Sequence, residues 1–223
     1  FFSQMDTYGD GYAGIGVWRA AFKPLVDRIA DTDIRLQWFC CDRSTGVTDA
    51  SGNRITLIRD TQSPVAVEYQ AVKFIGTGRD NIKAGVFSGW ELGDYIYLRS
   101  EEAYMIKMEA LAHKGSAEAV TELNSFMKTR QPDYNYTFTN KADLIEEIIY
   151  QKRVEFWGEG LEYIDNRRLN IPVDRTDETW GAENNNHFSA GKFRYNQEDR
   201  PFLYQLPLSE IENNSQLSPS DQN

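Results

Sequence analysis

The chain has 223 residues, 40% of them hydrophobic and 26% charged, with a mean hydropathy of −0.59; this is a globular composition, long enough to bury a core in one large domain or two small ones. No apolar run approaches the roughly 18 residues that a membrane-spanning helix needs, so any membrane role requires an anchor or a partner. Thirty-four acidic residues against 24 basic ones give a net charge of −10, which argues against nucleic acid as a partner and is compatible with neutral ligands such as sugars, or with cationic ones.

The opening "FFSQMDTYGDGY" carries no initiator Met, no basic segment and no small-residue cleavage site, so the start reads as internal. Residues 1–14 are rich in Gly, Tyr and Asp and read as loop. "GVWRAAFKPLVDRI" then shows helical periodicity through Val17, Ala21, Leu25 and Ile29, with Pro24 as a kink or boundary. "DIRLQWFCC" and "PVAVEYQAVKFI" read as two short extended segments around a polar turn, with Trp38 as a core residue of the first.

Cys40 and Cys41 are the only cysteines and are adjacent. Their Cα atoms lie about 3.8 Å apart, too close for an unstrained disulfide, so they read as small buried residues with one or both thiols free. Residues 76–94, with "GTGRDN" at their head, are Gly-rich and irregular. They lack the third glycine and the Lys-Ser/Thr pair of a phosphate loop, and read as a solvated connection.

From Tyr95 to Arg168 the pattern is helical. "YLRSEEAYMIKMEALAHKG" places Ala103, Ile106, Ala110 and Leu98 or Met105 on one face and stops at Gly115. "SAEAVTELNSFMKTR" opens with Ser116 as N-cap, aligns Val120, Leu123 and Met127, and ends before Pro132. Small residues along both segments predict an antiparallel helical hairpin of tetratricopeptide type around a one- or two-residue turn. Asn140 then caps a helix with Leu144, Ile148 and Gln151 or Lys152 on one face, and Gly158 or Gly160 interrupts it. "LEYIDNRRL" makes a further short helix. The remainder is rich in Pro, Asn, Gly and aromatics, with periodicity only in "FLYQLPLSEI".

Two kinds of residue could carry chemistry. "VEFWGEGLEYIDNRRLN" gathers Glu155, Glu159, Glu162 and Asp165 beside Arg153, Arg167 and Arg168. Carboxylate pairs of this kind serve glycoside hydrolysis when suitably spaced, but neighbouring arginines lower their pKa and favour a structural seam. Aromatic residues are the other resource, with five Trp, twelve Tyr and twelve Phe. Trp157 reads as core of its helix, whereas Tyr12, Trp18, Trp90 and Trp180 lie in loop-like surroundings where a ring can stack on a sugar face. Neither His113 nor His187 has the neighbours of a zinc site, and no nucleophile motif is present. The sequence thus offers no catalytic residue, no metal site and no cofactor.

Four blocks in fixed order, "YLRSEEAYMIKMEALAHKG", "AVTELNSFMKTR", "IIYQKRVEFWGEGLEYIDNRRL" and "FLYQLPLSEIENNSQLSPSDQN", resemble the C-terminal half of the SusD/RagB family of Bacteroidetes outer-membrane nutrient-binding lipoproteins. "DIRLQWF" and "YQAVKFI" resemble upstream family segments. The chain departs from the family pattern at Leu161 and Glu162, where many members carry an Arg two residues after the Glu-Gly pair, and at Leu206, where the first proline of a terminal Pro-x-Pro element is missing.

The resemblance implies a mainly α, SusD-like fold with a few short strands, formed by a single C-terminal domain over residues 1–223. Within it, residues 1–94 would be variable and loop-rich, 95–170 the helical scaffold, and 171–223 an irregular tail packed on that scaffold. It implies that Glu159, Asp165, Arg167 and Arg168 hold helices and tail together, and that the chain is a C-terminal fragment or processed product of a lipid-anchored cell-surface protein. By the same resemblance the protein captures glycans for a SusC-type TonB-dependent transporter without catalysis. Three other readings stay open at this stage: a glycoside hydrolase using Glu155, Glu159 or Glu162, a peptide-binding protein, and a pure protein-interaction scaffold.

Overall fold

The structure is a computed structural model, and it describes residues 20–40, 69–71, 73, 97–199 and 203–221. These divide into two compact units, Phe1–Glu159 and Gly160–Asn223. The boundary falls inside the stretch that the sequence reading assigns to one helical scaffold.

The first unit opens with helix α1, Lys23–Asp27, where Pro24 occupies the first turn. Proline belongs there because its missing N–H is one the helix leaves unbonded at its start, so this residue begins the helix and does not kink it. "DIRLQWFCC" is not a continuous strand. Asp33 accepts a hydrogen bond from the backbone N–H of Arg35 at 2.9 Å, and this closes a 3-10 turn over Ile34–Trp38. Only Phe39–Cys40 is extended, as β1, which pairs antiparallel with β2, Gln70–Ala71, in the register Phe39 to Ala71. Ala21, Val26, Ile29, Leu36, Phe39, Ala71 and Val154 form a buried core around this pair, with Trp38 and Trp157 partly buried against it. Trp157 follows its helix rather than lying within it, and meets Phe39 edge to face at 5.7 Å.

Helices α2, Ser100–His113, and α3, Glu118–Met127, form a hairpin. The ion pair from Lys107 to Glu122 and the ring contact of Tyr104 with Phe126 run in opposite sequence directions, so the two helices are antiparallel. The connection takes four residues, 114–117, longer than the predicted turn. Gly115, at φ +73°, lets Ser116 N–H reach the carbonyl of Leu111 and its own N–H reach that of Ala112, the Schellman arrangement. The Ser116 hydroxyl accepts from Glu118 N–H at 3.2 Å and closes the start of α3.

Helix α4, Lys141–Glu155, packs antiparallel to α2, since Lys141 donates to the carbonyl of His113 at one end and Arg99 reaches Glu155 at the other. The buried face of α2 is Met105, Met108, Glu109 and Ala112. Of the predicted face only Met105 is buried; Leu98, Ala103, Ile106 and Ala110 are exposed. The cause is Glu109, whose carboxylate meets Lys152 of α4 at 3.3 Å with both side chains buried, so the inward stripe contains a charge that an apolar pattern passes over. In α4 the predicted Leu144, Ile148, Gln151 and Lys152 are all buried, joined by Glu147, Ile149, Tyr150, Val154 and Glu155, because α1, α2 and the β1–β2 core surround it.

The second unit begins at Gly160, at φ +86°, which opens helix α5, Leu161–Leu169. Asn170 ends it in the left-handed region at φ +54°. A two-residue ribbon of β3, Val173–Asp174, and β4, Arg194–Tyr195, follows, with the short helix α6, Asp177–Trp180, between its strands. Helix α7, Leu208–Asn213, occupies the "PLSEI" segment.

Asn140 tests the local logic of α4. Its side-chain oxygen accepts from the N–H groups of Ala142 at 2.8 Å and Asp143 at 3.1 Å. Asn140→Ala is expected to destabilise the protein by about 1 kcal/mol, read as a lower urea midpoint at unchanged slope.

Candidate functional site

The carboxylate cluster resolves into two places. Glu155 and Glu159 belong to the first unit, Glu162 and Asp165 to the second. Glu155 is the last residue of α4 and its side chain is 1% exposed. Arg99 reaches it at 3.1 Å, Arg130 at 3.1 Å and Arg35 at 3.4 Å. Arg35 is itself clamped to Asp33 at 2.6 Å, and Glu159 accepts from Lys73 at 2.6 Å and Arg99 at 2.8 Å. Arg99 and Arg130 also pair with Glu101. Four carboxylates therefore face four cations in one seam. The neutralising groups for Glu155 and Glu159 come from residues 35, 73, 99 and 130, not from the adjacent Arg153, Arg167 and Arg168 of the sequence reading.

The electrostatics follow from this geometry. Burial pushes the Glu155 carboxyl up, but hydrogen bonds and charge from Arg130, Arg35 and Arg99 outweigh it and hold the group below its ordinary value. A glycosidase acid needs the opposite, a carboxyl kept protonated near neutrality. Burial lowers Lys73 to about 8, against the pull of Glu159. Its ammonium lies 4.7 Å from the Trp38 ring and also donates to the carbonyls of Glu155 and Trp157. The seam therefore closes the C-terminus of α4.

In the second unit, Arg168 meets Asp165 at 2.7 Å one turn along α5. Arg167 donates to the backbone carbonyl of Gln197 at 2.5 Å, a contact from α5 to the segment after β4. Gln197 in turn donates to the carbonyl of Ile171. Glu162 is exposed on α5.

Trp180 is the one predicted ligand-facing aromatic among the described residues; Tyr12, Trp18 and Trp90 lie outside them, as does the Cys40–Cys41 side-chain pair. Trp180 ends α6 with 37% of its surface exposed, and its Nε1–H donates to the carbonyl of Asp174 at 2.9 Å. The ring is thus fixed at its polar edge while part of its apolar surface stays in solvent. The anchor is itself braced: Asp174 accepts from the hydroxyls of Thr176 and Thr179, each at 2.7 Å, and from Arg194 at 2.6 Å. Burial raises the Asp174 carboxyl, but those donors bring it down to about 2.

Asn185, Asp177 and Lys192 tie down the loop beyond. Asn185 donates to the Arg175 carbonyl at 3.0 Å and to Asp177 at 2.8 Å, and Lys192 meets Asp177 at 2.7 Å. Burial, then the charges of Arg175 and Lys192, lower His187, so it is neutral at physiological pH. Phe188 in the same loop is 75% exposed and was not singled out from sequence, where it follows an Asn-rich run without periodicity. Among the described residues no group of His, Cys, Asp and Glu side chains could hold a metal ion.

Two consequences are measurable. Glu155→Gln keeps the shape of the side chain but removes the buried carboxylate that three guanidinium groups share, and is expected to cost about 3–5 kcal/mol, read in urea unfolding. Because the native pKa of Asp174 lies below its ordinary 3.8, its stabilisation is present in full above that value and is lost as pH falls from about 4 toward 2. Asp174→Asn should flatten this acid limb in a plot of Tm against pH.

Comparison with known proteins bears on the same residues. The family model for the SusD family matches residues 69–223, more than half of the chain. The fold is similar to a crystal structure of a SusD-like carbohydrate binding protein from Bacteroides vulgatus ATCC 8482, with a TM-score of 0.64 at 21% sequence identity. That match covers 97% of this chain and 44% of the other, so the chain spans less than half the length of that protein. No curated protein matches it. A mainly helical fold, with α2, α3, α4, α5 and the tail all inside the matched region, places the chain in the SusD family, to which it belongs.

Proposed function

We propose that this protein binds glycans at the cell surface and delivers them to a SusC-type TonB-dependent transporter, without catalysis. The SusD family match over residues 69–223 carries this reading. The fold similarity to a SusD-like carbohydrate binding protein agrees with it. Among the described residues no helix is long and apolar enough to cross a membrane. Attachment to the outer membrane would then come through a lipid anchor on the full-length precursor, and the helical hairpin α2–α3 would be one tetratricopeptide-like element of a transporter-facing scaffold.

Chemistry in the seam supports binding over hydrolysis. Glu155 is shielded from solvent and ionised, so it does not stand ready to give a proton to a leaving group, and both oxygens of Glu159 are engaged by Lys73 and Arg99. Glu159, Asp165, Arg167 and Arg168 serve in this reading as braces within their own units. Trp180 serves as a stacking platform, and Tyr12, Trp18 and Trp90 are further candidates for ligand contact in this reading. A ring already held by Asp174 loses little conformational freedom when a sugar stacks on it.

The test is electrophoresis of the full chain through gels containing soluble polysaccharides, with reducing ends assayed in parallel. Retardation by at least one glycan is expected, weakened about tenfold, or about 1.4 kcal/mol, in Trp180→Ala, with no release of reducing ends. Sustained protein-dependent release of new reducing ends would sink the binding-only reading. A folded chain that no glycan retards would sink the glycan reading itself.

A further inference from the structure

A pocket of about 250 Å³ opens in the first unit between the end of α1, the 131–136 connection and the middle of α4. Its walls are aromatic. Tyr134 and Tyr136 lie nearly parallel, with centroids 6.5 Å apart and planes at 18°, and the Tyr150 ring lies 3.9 Å from the Arg28 guanidinium. Its floor is a closed polar network. The buried Glu147 carboxylate accepts from the Tyr134 hydroxyl at 2.8 Å, from the Gln151 amide at 2.6 Å and from Arg28 at 2.5 Å. Gln151 also accepts from Arg35 of the seam at 2.5 Å, but the Arg28, Tyr134, Tyr136, Glu147 and Tyr150 side chains have no part in the ion pairs around Glu155 and Glu159, so the function proposed above leaves them unexplained.

We propose that this pocket is a second binding site, accepting a single pyranose ring of a neutral sugar; the choice of sugar as ligand rests on the glycan-binding reading. Three features of the site select this ligand class. The charged residues that line it are paired, Arg28 with Glu147 and Asp33 with the buried Arg35 behind it, so neither an acidic nor a basic ligand gains a net counter-charge. Polar capacity is left over for hydroxyl groups: Arg28 uses Nη2 on Glu147, while its Nε and Nη1 have no partner among the described residues. The Tyr150 hydroxyl reaches only the Leu25 carbonyl, at 3.5 Å, and the exposed Asn135 amide adds a donor and an acceptor at the rim. Flat tyrosine faces beside in-plane donors suit a ring that is apolar on its faces and hydroxylated at its edge. The volume lies just under the range of about 300–1,000 Å³ usual for drug-sized ligands, which suits one ring and not a chain. Burial beside Glu147 raises the Tyr134 hydroxyl, which stays a proton donor at physiological pH.

The experiment is an amide-resolved NMR titration of the full chain with methyl α-D-glucopyranoside, methyl α-D-mannopyranoside, methyl β-D-galactopyranoside and methyl β-D-glucuronide. It is run alongside polysaccharide gel retardation. At least one neutral glycoside is expected to shift the resonances of Tyr134, Tyr136, Tyr150 and the Arg28 side chain saturably. Tyr136→Ala should weaken that binding at least tenfold while leaving retardation that depends on Trp180 intact. Arg28→Ala, whose side chain is half-exposed, gives the same reading should the tyrosine variant fail to fold. Absence of such shifts in a chain that polysaccharide still retards would overturn the pocket and leave the glycan reading standing. Absence of both would overturn the two together. Shifts from the glucuronide alone, or shifts that neither variant diminishes, would also overturn the pocket.

Discussion

Glu155 at the end of α4 is the constraint on which the first unit depends. A helix that stops inside a protein leaves backbone carbonyls without partners, and each must find a donor. Here Phe156 N–H caps the carbonyl of Lys152 and Trp157 N–H that of Val154, while Arg99 and Lys73 donate to the carbonyl of Glu155. Cations also suit the negative end of the helix dipole. Bringing four cations to one place creates a charge that must be balanced, and the Glu155 and Glu159 side chains, with Asp33 and Glu101, balance it. An unpaired carboxylate at this depth would cost several kcal/mol, so the acids and the bases of the seam require one another.

Distant parts of the chain meet through that requirement. Arg35 lies in the 3-10 turn that Asp33 sets, and Ile34 N–H donates to the carbonyl of Arg130, which places that turn against the end of α3. Lys73 follows β2 by two residues, and Arg99 precedes α2 by one. The seam therefore joins the β1–β2 core to the three-helix layer at a point where both would otherwise leave polar groups buried. A dense run of acids and arginines can look like a catalytic cluster or a seam. What separates them is whether each acid has its own buried cation, and here the lowered Glu155 places the run with the seam.

How much of this was legible in the sequence divides by the range of the interaction. Asn140, Gly115 and Gly160 act within a few residues of themselves, and the helix boundaries they set are readable from their identities alone. The exposed face of α2 was not readable, because the pattern that points inward contains Glu109, whose buried ion-pair partner Lys152 is 43 residues away. The same holds for the partners of Glu155: Arg153 is near in sequence, yet Arg35, Arg99 and Arg130 are near in space. A single aspartate turned the expected strand at "DIRLQW" into a 3-10 turn, a competition between side-chain and ladder hydrogen bonding that β-propensity does not register. Trp180 was recognisable as an aromatic in a polar loop, but its anchor on Asp174 and the bracing of that aspartate by Thr176, Thr179 and Arg194 depend on a ribbon of only two residue pairs.

Under the proposed glycan-binding reading, the contrast between seam and aromatic sites would let one chain be firmly held and still bind. In the seam the ionic groups face each other, so the cluster lends stiffness and presents little to a ligand. Around Trp180, Asp174 pairs with Arg194 and Asp177 with Lys192, and part of the ring surface is left toward solvent. In the pocket by Tyr150 the charges likewise cancel and leave ring faces with uncharged hydroxyl and amide groups beside the outer N–H groups of Arg28. A protein with a net charge of −10 that pairs off charges around Trp180 and Tyr150 would, in the proposed reading, suit ligands recognised by stacking and neutral hydrogen bonds. Such binding depends weakly on ionic strength, because exposed charge is not its source.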